Sequence, residues 1–222
     1  MGRPRTPKGR ARVVAERLAA EFPGTASDLC ALRHDTPFQL LAATILSAQC
    51  TDARVNLVTP ALFAAFPDAA ALARADPDTV EEIIRSTGFF RAKARSLIGM
   101  ARALEEHFGG DVPTELADLV TVPGVGRKTG NVLRSVAFNL PGLPVDTHVL
   151  RLSKRLGLTE RLGSGERDDP VKVEHELNAV VPASERGGFS LRMILHGRAT
   201  CVARKPTCGR CILADICPSA FL

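Results

Sequence analysis

Leu119-Val120-Thr121-Val122-Pro123-Gly124-Val125-Gly126-Arg127-Lys128-Thr129-Gly130 reads as a short helix, a glycine turn and the start of a second helix. The first helix is expected to end near Val122. Pro123-Gly124 turns the chain, and Gly126 leads into the next helix. Two glycines let the backbone come close to a ligand with no Cβ in the way. Amides at a new helix start point at an anion such as a phosphate, and Arg127 and Lys128 add positive charge at that end. Two other glycine motifs fail. A Walker loop needs Gly-Lys-Thr where this chain reads Arg127-Lys128-Thr129. A dinucleotide fingerprint needs glycine at Thr129 and a preceding strand. Taken alone, the segment also fits a plain helical connection with two solvated cations.

Outward from the hairpin the pattern is helical nearly throughout. Val13, Val14, Leu18 and Phe22 recur at helical spacing. Thr36-Pro37 opens an apolar helix with threonine as N-cap and proline at the first position. Asp76-Pro77 repeats that signal before Val80, Ile83 and Ile84, and Gly88 is the expected stop. Leu97, Ile98, Leu104 and Phe108 form another stripe, closed by Gly109-Gly110. Further helices are expected around Leu133–Phe138, Val149–Leu156, Val173–Val181 and Phe189–Leu195. Alternating runs typical of strands are nearly absent, so the fold class is all-α. Gly163–Asp169 is the clearest loop.

The second constellation is Cys201, Cys208, Cys211 and Cys217, spaced C-x6-C-x2-C-x5-C. Four thiolates within seventeen residues suit a metal centre, and both zinc and a [4Fe–4S] cluster accept four cysteines. Zinc sites more often use two tight pairs, and this tail has one. Arg204 and Lys205 lie between the first two cysteines and Arg210 lies between the second and third, so a bound cluster would staple a basic loop. Cys30 and Cys50, in or beside apolar helices, read as small core residues. The chain of 222 residues is 45 % apolar, enough for a real core, and carries a net charge of +5. That balance suits a polyanionic partner. No run of eighteen apolar residues is present, and the basic start lacks an apolar signal segment, so a cytoplasmic protein without a membrane partner is expected.

The hairpin Leu119–Asn131, the later Val145-Asp146-Thr147-His148-Val149 and the cysteine tail together resemble the endonuclease III family of helix-hairpin-helix DNA glycosylases with AP lyase activity. Pro37-Phe38, Leu46-Ser47-Ala48-Gln49-Cys50-Thr51-Asp52 and Gly88-Phe89-Phe90-Arg91-Ala92-Lys93-Ala94 extend the resemblance, which covers roughly residues 11–218. It implies two all-α lobes with DNA bound between them. A six-helix barrel would span residues 30–140. A second domain, residues 1–29 and 141–222, would carry a [4Fe–4S] cluster on the four cysteines. The implied activity is base-excision repair by a monomer with no obligate protein partner: removal of oxidised pyrimidines from damaged duplex DNA, then strand cleavage by β-elimination.

The resemblance makes Lys128 the nucleophile and Asp146 the catalytic carboxylate. Asp146 also stands where it would cap the helix beginning at Thr147. Gln49 and Phe89 match positions that enter the DNA where a nucleotide has been flipped out. The family often has leucine at the second of these. Two adjacent phenylalanines at a turn cannot share one core face, so Phe89 is expected outside and Phe90 inside. Gly124, Gly126, Arg127, His148, Arg204, Lys205 and Arg210 complete the expected DNA contacts. The adenine glycosylases of the same fold carry a glutamate five residues before Gln49, where this chain has Thr44. A non-catalytic DNA clamp would have no use for the Lys128–Asp146 pair, nor would an iron–sulfur redox sensor.

Overall fold

The structure is a computed structural model that describes residues 4–159 and 169–221. The described residues are helical and turn segments without strands. Residues 160–168, which hold most of the expected loop, lie outside them. The chain divides into two compact units: Cys30–Phe138, and Met1–Leu29 together with Asn139–Leu222. No helix among the described residues is long and apolar enough to cross a membrane.

The unit Cys30–Phe138 contains α2 (Pro37–Leu46), α3 (Asp52–Ala65), α4 (Ala69–Ala73), α5 (Pro77–Ile84), α6 (Phe90–Phe108), α7 (Leu116–Leu119) and α8 (Arg127–Val136). Helix α2 is apolar on nearly every face. Phe38, Leu40, Leu41, Ala42, Ala43, Ile45 and Leu46 are all buried, as expected of a helix that is surrounded by others, and α3, α6 and α8 pack on it. Each large side chain so buried stabilises the fold by roughly 1.5–3 kcal/mol before entropy is counted. Thr36 accepts from the Gln39 amide and Asp76 from the Thr79 amide, each with proline following. The last element before the hairpin, α7, stops at Leu119 and not near Val122. Val122 and Val125 instead plug the turn, 2 % and 6 % exposed, with the Val125 amide donating to the Val122 carbonyl at 3.0 Å. A hydrophobic turn interior of this kind has the same residue pattern as a helix end.

The other unit contains α1 (Pro7–Glu21), α9 (Thr147–Arg155), α10 (Pro170–Val180) and α11 (Arg186–Ala199). Val14, Leu18, Val149, Leu152, Leu177, Phe189 and Met193 form its core with Leu213 and Ile216 from the tail. Arginines tie its distant segments together through carbonyls. Arg192 of α11 donates to the Phe22 carbonyl at 2.9 Å, and Arg17 of α1 donates to the Ile212 carbonyl at 2.7 Å and to Asp215. The Arg17 partner holds the Asp215 carboxyl below its ordinary range.

Candidate active site and iron–sulfur centre

Gly124 and Gly126 do different work. Gly124 has φ 81°, and a Cβ there would meet Ser96 Cβ at 3.2 Å, so backbone and space both demand glycine. Gly126 has the ordinary extended values φ −92° and ψ 173°, and a Cβ would meet nothing within 4 Å. Its missing side chain leaves bare backbone facing open space at the N-terminus of α8. No side chain caps that helix start. Lys128 is the second residue of α8 and is exposed. The hairpin is backed by α6 through Ser96 against Gly124 and Gly99 against Pro123, and α7 packs on α8 because Gly130 leaves room for Leu116.

Among the described residues, four that are not glycine adopt left-handed backbone: Gln49 (φ 52°), Phe89 (φ 49°), Asn139 and Lys205 (φ 56°). Side chains other than glycine and asparagine are strained there, and such strain gathers at functional sites. Gln49 and Lys205 are exposed, and Phe89 is 68 % exposed. Phe90, expected inside, is the first residue of α6 and only half-buried. Its ring lies 5.8 Å from the Arg85 guanidinium and 5.3 Å from that of Arg91, so two cations stand over the half-buried ring. Cys50 and Cys30 are likewise half-buried and lie outside the helices, so neither is a core residue; burial still pushes the Cys30 thiol up.

In the other unit, Asp146 caps α9. Its Oδ1 accepts from the amides of His148 at 2.8 Å and Val149 at 2.9 Å, which fixes the carboxylate while Oδ2 makes no hydrogen bond to a described residue. His148 Nδ1 lies 3.1 Å from Arg151 Nη2. A guanidinium only donates, so Nδ1 accepts and the ring proton is on Nε2. Gly197 is required beside it, because a Cβ would meet His148 Nδ1 at 2.9 Å.

Helix α9 also holds the cysteine loop. Arg151 donates to the carbonyls of Cys201 and Gly197, each at 3.0 Å. Arg155 donates to the Val202 and Ala203 carbonyls at 2.8 and 2.9 Å and to Cys201 Sγ at 3.3 Å. Arg204, Lys205 and Arg210 project from this loop, exposed. Cys201, Cys208, Cys211 and Cys217 line one cavity with Leu152, Arg155 and His196. The Cys211 thiol is pushed up, first by burial and then by the three other cysteines, against the opposing hydrogen bond from the Leu213 amide. Thiols crowded in this way become favourable ligands once a polynuclear cation shares their charge. Among the described residues no three acidic, histidine or cysteine side chains converge on one ion. Four thiols lining one cavity supply the donor set that a [4Fe–4S] cluster takes. Arg155 and the Leu213 amide supply the hydrogen bonds to sulfur that such centres use.

Sequence reasoning missed Arg151, Arg155 and Gly197. Arginines at i and i+4 on α9 resemble any solvated helix face; only their reach to Cys201, Val202 and Ala203 reveals their task.

Residues 42–183 match the family described as HhH-GPD superfamily base excision DNA repair protein, and residues 201–217 match the iron–sulfur binding domain of endonuclease III. The chain is 51 % identical over 214 residues to endonuclease III of Synechocystis sp., covering 96 % of this chain and 94 % of that one. It is 40 % identical to endonuclease III of Escherichia coli, covering 84 % and 85 %. A solved structure of a trapped endonuclease III–DNA covalent intermediate superposes with a TM-score of 0.86 at 39 % identity, covering 96 % of both chains. The chain therefore belongs to the endonuclease III family of the HhH-GPD base excision repair superfamily.

Proposed function

We infer that this chain removes oxidised pyrimidines from duplex DNA and cleaves the strand on the 3′ side of the abasic site, with Lys128 as nucleophile and Asp146 as the assisting carboxylate. As an endonuclease III it is a DNA glycosylase with AP lyase activity, acting on damaged duplex DNA. The observation that carries the assignment of Lys128 is the start of α8: an exposed lysine on the first turn of a helix that no side chain caps, behind the bare backbone of Gly126.

The chemistry follows from the groups present. The neutral Lys128 amine attacks the sugar C1′, and the C1′–N bond to the base breaks with its electron pair leaving on the base. Negative charge at Asp146 Oδ2 stabilises the positive charge that develops on the sugar, and the carboxylate passes protons to and from the departing groups. Opening of the sugar ring, with O4′ taking up a proton, converts the amine to an iminium. The iminium acidifies the 2′ proton; its loss expels the 3′ phosphate by β-elimination, and water then releases Lys128. An amine nucleophile thus gives both base loss and strand cleavage, where activated water would give only the first.

Gln49, on its left-handed turn, offers both a donor and an acceptor to the orphaned partner base. The exposed Phe89 ring fills the gap as an apolar wedge. The backbone at Gly124 and Gly126, together with Arg127, His148 Nε2, Arg204, Lys205 and Arg210, binds phosphates. Cys201, Cys208, Cys211 and Cys217 hold the [4Fe–4S] cluster, which fixes the basic loop when bound. The site of action is the cytoplasm, with the chain acting as a monomer; its charge of +5 supports a nucleic-acid partner.

The test is borohydride trapping on a duplex containing thymine glycol. The protein is expected to form a covalent adduct, and Lys128→Gln to bind the same DNA without forming one. An adduct of undiminished yield from that variant would remove Lys128 from the role.

A further inference from the structure

The mechanism leaves one buried ammonium unused. Lys93, on the first turn of α6, is 5 % exposed. A lysine rarely occupies such a place unless its charge has a task. Its Nζ donates to the carbonyl of Thr87 at 2.8 Å, and its own amide donates to the carbonyl of Phe89 at 3.1 Å. One residue therefore grips both ends of the three-residue turn Thr87-Gly88-Phe89. That turn contains two successive left-handed residues, Gly88 at φ 70° and Phe89 at φ 49°. Thr87 is anchored from the other side, 2 % exposed, with its hydroxyl on the Ile84 carbonyl at 2.9 Å. Burial lowers the Lys93 pKa, and the charge of Cys50, which directly follows Gln49, opposes that shift.

We propose that Lys93 is a positioning residue for base flipping: through the Thr87 carbonyl it holds the strained Gly88-Phe89 turn in the conformation that presents the Phe89 ring to the DNA. A phenylalanine in left-handed backbone relaxes toward ordinary φ values unless its surroundings over-determine the turn. Relaxation would swing the ring away from its exposed direction. A methyl-terminated side chain would fill the same space, but only a donor can fix the buried carbonyl of Thr87. Lys93 touches neither the reacting sugar nor the base, and acts only through Phe89. The inference rests on the reading of Phe89 as the wedge.

The experiment uses the full chain with its cluster, and measures single-turnover cleavage of a thymine glycol duplex and of a single-stranded abasic oligonucleotide. The ratio of the two rates reports flipping. Lys93→Met is expected to lower that ratio about 5- to 20-fold, within the effect of removing one stacked ring. Phe89→Ala lowers the same ratio, and the double variant is expected to fall no lower than Phe89→Ala alone. Hydrogen exchange at residues 87–90 is expected to quicken in Lys93→Met while that of α8 stays as in the parent. Lys93→Gln, which keeps a donor without the charge, recovers part of the ratio and stands in should the methionine variant fail to fold. An unchanged ratio in Lys93→Met overturns the proposal, as do losses that multiply in the double variant. If Phe89→Ala itself leaves the ratio unchanged, the wedge reading has failed and takes this inference with it; if only the Lys93 variants leave it unchanged, the wedge stands and the positioning role does not.

Discussion

Helices α8 and α9 begin in opposite ways. At α9 the carboxylate of Asp146 closes the helix, taking up the amides of His148 and Val149. At α8 the N-cap is Gly126, which has no side chain to offer. The positive end of a helix can fix an anion that belongs to the protein or receive one from outside. In α9 it holds Asp146 at one angle, so that the free Oδ2 is an oriented charge. In α8 it is left open beside Lys128, and the anion it can receive is a DNA phosphate. One helix start thus holds a carboxylate of the protein, and the other has no side-chain cap. On this reading the proposed role of the bare glycine can be tested beside that of the lysine.

The largest effect separates nucleophile from cradle. Lys128→Gln should lower base removal by at least about 10³-fold, the scale on which loss of a covalent nucleophile acts. Its affinity for damaged duplex should fall much less, because the open helix end remains. Loss of affinity matching the loss of rate would mean that Lys128 serves the cradle and that the chemistry lies elsewhere.

Next comes Asp146, whose helix cap and proposed catalytic role predict two separable phenotypes. Asparagine caps a helix about as well as aspartate, so Asp146→Asn should keep thermal stability while slowing base removal by roughly 10²-fold or more. On a preformed abasic site the loss should be smaller, since the base has already gone. Asp146→Ala should lose the rate and also about 1 kcal/mol of stability with the cap. Equal rate losses on both substrates in Asp146→Asn would assign the carboxylate a structural role only.

The two hairpin glycines sharpen the same contrast. Gly124→Ala places a Cβ in left-handed backbone, 3.2 Å from Ser96 Cβ, and should cost about 1–2 kcal/mol of stability, read as a lowered melting temperature. Gly126→Ala meets no protein atom within 4 Å. Its stability should change by no more than about 1 kcal/mol, from the poorer N-cap. Its DNA affinity should instead drop by roughly tenfold, or about 1.4 kcal/mol, as the methyl keeps the phosphate backbone away. A Gly126→Ala protein that binds as tightly as the parent would show that nothing approaches α8 at that point.

Much of the fold and site is legible in the residues alone, for reasons that can be named. Proline at the first helical position after threonine or aspartate announces itself, and Thr36-Pro37 and Asp76-Pro77 both deliver the caps they promise. The same pair of residue types at Thr6-Pro7 and Asp169-Pro170 opens α1 and α10, a signal that apolar spacing alone does not use. Helix α3 is harder to see: Leu57 is 69 % exposed and Pro60 lies inside it, which blurs its apolar face. The hairpin and the four cysteines are visible as spacings. The left-handed backbone at Gln49, Phe89 and Lys205 is not, since none of these residue types signals it. Nor is the approach of Arg85 and Arg91 to the half-buried Phe90 ring.

The smallest expected effect concerns the basic loop between Cys201 and Cys208, the second of the two phosphate sites proposed above. Arg204 and Lys205 are exposed, and Lys205 is left-handed at φ 56°. Its backbone is held by the loop anchors: Arg151 and Arg155 on the carbonyls of Cys201, Val202 and Ala203, and the Thr207 amide on the Thr200 carbonyl at 3.1 Å. A lysine in such a conformation gives up intrinsic backbone preference. Asparagine tolerates left-handed backbone, so Lys205→Asn removes the charge without adding strain. Its stability should equal or slightly exceed that of the parent. Removing one cation from a phosphate should lower the slope of log K against log salt by about 1. The change should be equal on damaged and undamaged duplex, because a phosphate carries no information about the base. The rate of base removal at saturating protein should not follow it, unlike that of Asp146→Asn. A salt slope identical to the parent in both Lys205→Asn and Arg204→Ala would leave the loop a staple for the cluster and nothing more, and α8 would then be the better supported of the two phosphate sites.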